Sequence, residues 1–167
     1  SNEFDPFQTP EQKGSKQLSE EDFLLKSRSD HPAVLGACAI IPQHGKTPLY
    51  STEKMAETLS WVMGNWNWEK TWGWDYGMVA MAAARLGDPS TAIDALLTPQ
   101  QKNRYLVSGH NFQTADRLRL YLPGNGSLLT TISMMCAGWD GCEDVHNPGF
   151  PKDGRWNVRW ENLRRMQ

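Results

Sequence analysis

The chain has 167 residues, 17 Lys+Arg against 19 Asp+Glu and a formal net charge of −2, which excludes the basic excess of a nucleic-acid or anionic-membrane binder. Charged residues make up 22% and hydrophobic ones 39%. With a mean hydropathy of −0.60, this is a polar chain that still holds enough apolar residues for one ordinary domain, and no run of about 18 apolar residues occurs that would predict a transmembrane helix.

Residues 1–19 are polar, with Pro6, Pro10 and Gly14, and read as a flexible leader whose Ser1-Asn2 looks like the remnant of a tag. Ser19 then caps an acidic turn before Phe23-Leu24-Leu25, which predicts a short helix ended by Asp30-His31-Pro32. Residues 33–42 are small and apolar, and periodicity leaves open whether they are helix or irregular core. Ser51 or Thr52 caps a helix over 52–64, with Met55, Leu59, Val62 and Met63 on one face. An aromatic loop over 65–74 leads to a helix over 74–86 that Gly87 closes. Asp88-Pro89 opens the next helix, to Leu97, and Thr98-Pro99 repeats the device for a short one. Residues 103–126 read as loop and 127–138 as a further helix. In the tail, Trp156-Asn157-Val158-Arg159-Trp160 alternates like a strand.

This pattern predicts an all-α fold of antiparallel helical hairpins over 20–150 and an exit segment over 151–167. The long loops 65–74 and 103–126 fall at one end of the array and the tight Gly87-Asp88 turn at the other. Trp72, Trp74, Asp75, His110 and Asn125 are therefore expected to converge on one mouth.

Eight Trp occur, at 61, 66, 68, 72, 74, 139, 156 and 160, and five of them lie in 61–74. One helix does not easily bury that density, and flat indole faces serve as platforms for sugar rings. Asp75, within Trp72-Gly73-Trp74-Asp75-Tyr76, is a carboxylate in aromatic surroundings, where burial raises a pKa and suits acid–base work; a first-turn acid favouring the helix dipole is the structural alternative. Asp116 is flanked by Arg117 and Arg119, an arrangement equally suited to simple ion pairing. His110 and Asn111 lie in a Ser108-Gly109-His110-Asn111 loop, and His31 at a helix end. Cys38, Cys136 and Cys142 form no CxxC pair and read as free or buried thiols. No HExxH, GxSxG or dinucleotide pattern is present, so no metal or cofactor is predicted.

Three stretches in order, Asp30-His31-Pro32-Ala33-Val34-Leu35, Thr71-Trp72-Gly73-Trp74 and Ala82-Ala83-Ala84-Arg85-Leu86-Gly87-Asp88, resemble the late segments of the (α/α)6-toroid, or six-hairpin, glycosidases. Glycoside hydrolase family 95 is the nearest likeness and family 65 a more distant one. Leu122-Pro123-Gly124-Asn125-Gly126 lines up with the Ile-Asp-Gly-Asn-Phe loop of family 95, and Phe150-Pro151 with 156–163 resembles the passage out of the barrel. The likeness spans residues 30–163. It implies the last five or six helices of a twelve-helix ring, a carbohydrate substrate, and His31, Trp72, Trp74, His110, Asn111 and Asn125 among the groups contacting it. It also suggests a secreted or periplasmic location.

Two departures bear on activity. Pro123 stands where the family carries an Asp that helps activate water, leaving Asp75 or Asp116 to take that role. The family's general acid, a Glu, lies upstream of these motifs. The resemblance therefore implies a C-terminal portion of a glycoside hydrolase, inactive alone, whose missing upstream partner would otherwise cover its apolar faces and whose exposed faces favour self-association. The alternatives are a noncatalytic carbohydrate-binding relative and an unrelated helical interaction domain.

Overall fold

The computed structural model of the chain describes residues 19, 22, 26–41 and 49–167. The leader over 1–18 and most of the helix expected before Asp30 lie outside them, although the Ser19 hydroxyl does accept the Asp22 amide at 3.1 Å. The described residues form five α-helices: α1 (Gly36–Ala39), entered through a 3₁₀ turn at Ala33–Leu35, α2 (Thr52–Asn65), α3 (Asp75–Arg85), α4 (Pro89–Leu97) and α5 (Leu122–Ala137). A small antiparallel hairpin, β1 (Arg104–Tyr105) with β2 (Asn111–Phe112), is the one sheet among them. The fold is mostly helical, as the patterning predicts.

Helix α3 is the hub. Every residue from Asp75 to Ala84 is buried, and α1, α2, α4 and α5 all pack on it. Its alanines and glycine make that wrapping feasible, because small residues let neighbouring backbones approach. Gly77 shows the limit: a Cβ there would lie 2.2 Å from Ser127 Oγ and 2.8 Å from Thr131 Oγ1. Those two hydroxyls bridge the helices, Ser127 donating to the Trp74 carbonyl at 2.7 Å and Thr131 to the Gly77 carbonyl at 3.0 Å. Residue numbers rise together along both helices, so α3 and α5 run parallel. On the other flank Gly36 faces Met78 and the Cys38 thiol points to the Ala82 carbonyl, so α1 runs parallel to α3 as well. The segments entering α1, α3 and α5, namely 31–35, 72–75 and 121–124, therefore meet at one end of the array.

The connection from α3 to α4 reverses the chain. Gly87 adopts φ 81°, and the amides of Gly87 and Asp88 close on the carbonyls of Ala84 and Ala83, satisfying the last turn of α3. Asp88 then caps α4 through Thr91 N at 3.0 Å, with Pro89 in the first turn. Ser51 caps α2 through Lys54 N. The end of α2 lies against the start of α3: Trp68 donates its indole N–H to the Met63 carbonyl and stacks on Tyr76.

Four boundaries differ from expectation. Helix α5 begins at Leu122, five residues early, because Pro123 fits its first turn and Gly124 sits where a Cβ would strike Asn111 Oδ1 at 2.3 Å, so tertiary packing overrides the loop-like run of Gly and Asn. After Thr98-Pro99 only a 3₁₀ turn, Gln101–Asn103, forms. The stretch 103–126 holds the β1–β2 hairpin rather than loop alone. Residues 156–160 make no strand ladder; they are pinned by Asn147, which donates to the Val158 carbonyl and accepts the Trp160 indole N–H. All three cysteines are free, Cys38 and Cys136 buried.

Candidate functional site

The end of the array where α1, α3 and α5 begin carries a concentrated polar–aromatic cluster. Asp75 opens α3 and is 0% exposed. One of its oxygens accepts the Trp72 amide at 2.7 Å, and both lie 3.0 Å from His31 Nδ1. Burial pushes the Asp75 carboxyl above the ordinary value, against the opposing pull of the Trp72 amide and His31. The Trp72 amide and the His31 ring together hold the Asp75 carboxyl, and that contact fixes the orientation of the imidazole with Nε2 on the Asp30 side. Nε2 lies 3.4 Å from Asp30 Oδ1.

Aromatic rings frame the imidazole. The His31 ring is tilted against Trp74 at 4.8 Å and Trp72 at 6.1 Å between centroids. Trp72 in turn meets Tyr121 at 5.7 Å and carries the Lys102 ammonium 5.6 Å from its ring centre. Burial and the nearby Lys70 charge lower the Lys102 pKa, and burial raises that of the Tyr121 phenol, with the Asp75 charge adding to the rise. The Trp72 indole N–H donates to Asp30 Oδ1 at 2.8 Å. A groove of about 400 Å³ continues from Trp74 between α1 and α5, lined by Ile40, Met78, Met81, Pro123 and Thr130. A larger groove, about 810 Å³, runs along α4 and α5 past Leu97, Ile132 and Trp156 and includes none of His31, Trp72, Trp74 or Asp75. The first groove meets the cluster at Trp74.

The expected convergence divides into two layers. His31, Trp72, Trp74 and Asp75 are in mutual contact. Asn111 and Asn125 reach the same end but hold it together from beneath. Asn111 is 0% exposed and spends its amide on the Lys102 and Arg104 carbonyls, while its Oδ1 packs where Gly73 and Gly124 leave no room for a Cβ. Asn125 accepts the Asn111 amide at 2.9 Å and donates to the Gly109 carbonyl at 2.7 Å, so both ends of its side chain are used to fix the hairpin. Both side chains brace the hairpin and the start of α5. His110 is exposed, lies just before β2 with its carbonyl paired to the Leu106 amide, and bonds Ser108 at 3.1 Å; no contact joins it to His31 or Asp75 among the described residues. Asp116 is exposed on the loop before α5 and takes part in no ion pair among the described residues.

Asp75 is placed differently from the catalytic role expected of it: its carboxyl has no exposed surface and both oxygens engaged, so it faces His31 and the Trp72 amide rather than a solvent-side reactant. Asp30, Lys102 and Tyr121 belong to the cluster although the sequence did not single them out as site residues. The available signal was Asp30 beside His31, since a left-handed φ of 72° at a non-glycine residue cannot be read from residue type alone. Gln113 is a further hidden member: 1% exposed, it accepts the Gly73 amide at 2.9 Å beneath Trp72. No group of three or more His, Cys, Asp and Glu placed to hold a metal ion occurs among the described residues.

Chemically, the cluster is an imidazole oriented by a buried carboxylate, a second carboxylate open to solvent, and two indole faces beside them. No protein-family model, no curated protein and no solved structure matches this chain.

Proposed function

We propose that the chain forms the last hairpins of an (α/α)6 toroid and supplies one wall of the carbohydrate cleft of a glycoside hydrolase. The observation that supports this reading is the meeting of His31, Asp75, Trp72 and Trp74 where three parallel helices begin. Inner helices of a toroid run parallel, with alternating outer helices returning the chain, and α1, α3 and α5 against α4 have that sense. A pyranose stacked on Trp74 or Trp72 would place its hydroxyls beside His31 Nε2.

In this reading the chain binds and orients the sugar, and the carboxyl pair needed for hydrolysis is completed from elsewhere in the enzyme. An inverting glycosidase holds its two carboxyl groups about 6.5–9.5 Å apart across the scissile bond, and Asp75 is too deeply buried to be either one. A noncatalytic carbohydrate-binding relative is the second reading, favoured by Pro123 at the position of the family's water-activating Asp. The two part on turnover by the longer enzyme, whereas both require binding.

Titration of the chain with methyl glycosides of glucose, galactose, mannose, xylose, fucose and rhamnose, followed by Trp fluorescence, tests the common core. Saturable change with at least one glycoside, abolished in Trp72→Ala, is the expected result. A flat response to the whole panel refutes a carbohydrate cleft.

A further inference from the structure

Asp30 is held in place by two indoles from later in the chain, and it is the solvent-side carboxylate of the cluster. Its Oδ1 accepts the Trp72 indole N–H at 2.8 Å and faces His31 Nε2 at 3.4 Å, and its carbonyl accepts the Trp66 indole N–H at 3.3 Å. Its backbone sits at φ 72°, a conformation that costs free energy for a residue with a Cβ and that Asp and Asn tolerate better than most. The side chain is nevertheless 65% exposed, and Oδ2 makes no hydrogen bond among the described residues. An aspartate fixed this firmly, yet spending only half of its carboxylate within the protein, leaves its remaining acceptor capacity directed at solvent.

We propose that Asp30 and His31 together form the specificity edge of the site, recognising two adjacent hydroxyls of a neutral pyranose. The inference rests on the carbohydrate-cleft reading above and deepens it. Asp75 holds the imidazole through Nδ1, which leaves Nε2 at the edge of the site beside Asp30. The Asp30 carboxylate presents an acceptor beside it. A carboxylate acceptor and a ring nitrogen side by side match two hydroxyls on neighbouring carbons, each of which can donate or accept, and the Trp74 ring, 4.8 Å from the imidazole, offers the apolar face on which such a ring would lie. Hydrogen bonds to an ionised acceptor are the strong ones, so the Asp30 contact carries more discrimination than the imidazole contact.

Calorimetric titration with the same panel of methyl glycosides tests the edge, using the tightest-binding member and its monodeoxy derivatives. Asp30→Asn keeps an oxygen for the Trp72 indole and tolerates the left-handed backbone, but turns a donor toward the ligand. Asp30→Gly suits that backbone still better and removes the carboxylate. Both variants should retain the parent's far-ultraviolet dichroism and bind about tenfold more weakly or worse, the loss expected for one charge-assisted hydrogen bond. In the unmodified protein, deletion of either of two adjacent hydroxyls should weaken binding comparably, and deletion elsewhere on the ring should not. Unchanged affinity in both variants, or a deoxy series with no adjacent pair of sensitive positions, overturns the specificity edge and leaves the cleft reading standing. Absence of binding by the unmodified chain overturns both.

Discussion

Replacing Asp75 with Ala isolates what the buried carboxylate does for the site. The side chain is 0% exposed and accepts the Trp72 amide at 2.7 Å and His31 Nδ1 at 3.0 Å. Alanine leaves two donors without partners, each costing about 1–3 kcal/mol when buried, and the penalty for burying the carboxyl, which holds its pKa up, offsets part of that loss. A net destabilisation of about 3 kcal/mol follows, or roughly 6–12 °C in Tm for a chain of this size. Asp75→Asn keeps an acceptor for Trp72 and should cost about 1 kcal/mol. The sign of the pH dependence is also set. The folded state holds the Asp75 proton to higher pH than the unfolded state, so stability relative to Asp75→Asn falls as pH rises from the ordinary carboxyl value of 3.8 through the raised one, then levels off. Denaturant melts followed by Trp fluorescence, with the His31→Ala and double variants completing a cycle, provide the assay. A coupling of about 1–2 kcal/mol between the two side chains is expected. A Tm for Asp75→Ala within about 2 °C of the parent, with no coupling, would refute the reasoning.

Glycine substitutions test the packing. Gly77→Ala, whose Cβ would meet Ser127 Oγ at 2.2 Å, should destabilise by about 1–3 kcal/mol in thermal melts. Gly126→Ala has nothing within 4 Å and lies inside α5, so it should stabilise by about 0.5–1 kcal/mol; a neutral result would contradict a helix starting at Leu122. The Tyr50 phenol, bonded to Cys38 Sγ at 3.2 Å, is pushed up to about 12 chiefly by burial. The unfolded chain releases that proton first, so stability should fall from pH 10 towards 12, and Tyr50→Phe should remove that portion of the decline in alkaline melts.

Much of the architecture was legible because caps are local signals. Ser51, Gly87 and Asp88-Pro89 act in the structure as their residue types predict. The start of α5 was not legible, because Gly124 and Gly126 weaken a helix locally and the compensating contact with Asn111 comes from a distant loop. The site divides the same way. Trp72, Trp74 and Asp75 adjoin one another in sequence and were found from composition, and His31 through the stretch around it. The resemblance implies sugar contacts for Asn111 and Asn125, and only the fold shows their side-chain nitrogens donating to backbone carbonyls. The inward orientation of Asp75 depends on where His31 stands, 44 residues away, and no local pattern carries that information. The two grooves are likewise products of helix packing, which residue spacing does not disclose.

The most direct test of a carbohydrate cleft at this end of the array is saturation-transfer-difference NMR on the chain with the panel of neutral methyl glycosides. The account predicts enhancement at ring protons of one sugar face, from stacking on an indole, and its disappearance in Trp72→Ala and Trp74→Ala. Enhancement that survives both substitutions, or none with any glycoside, would contradict it.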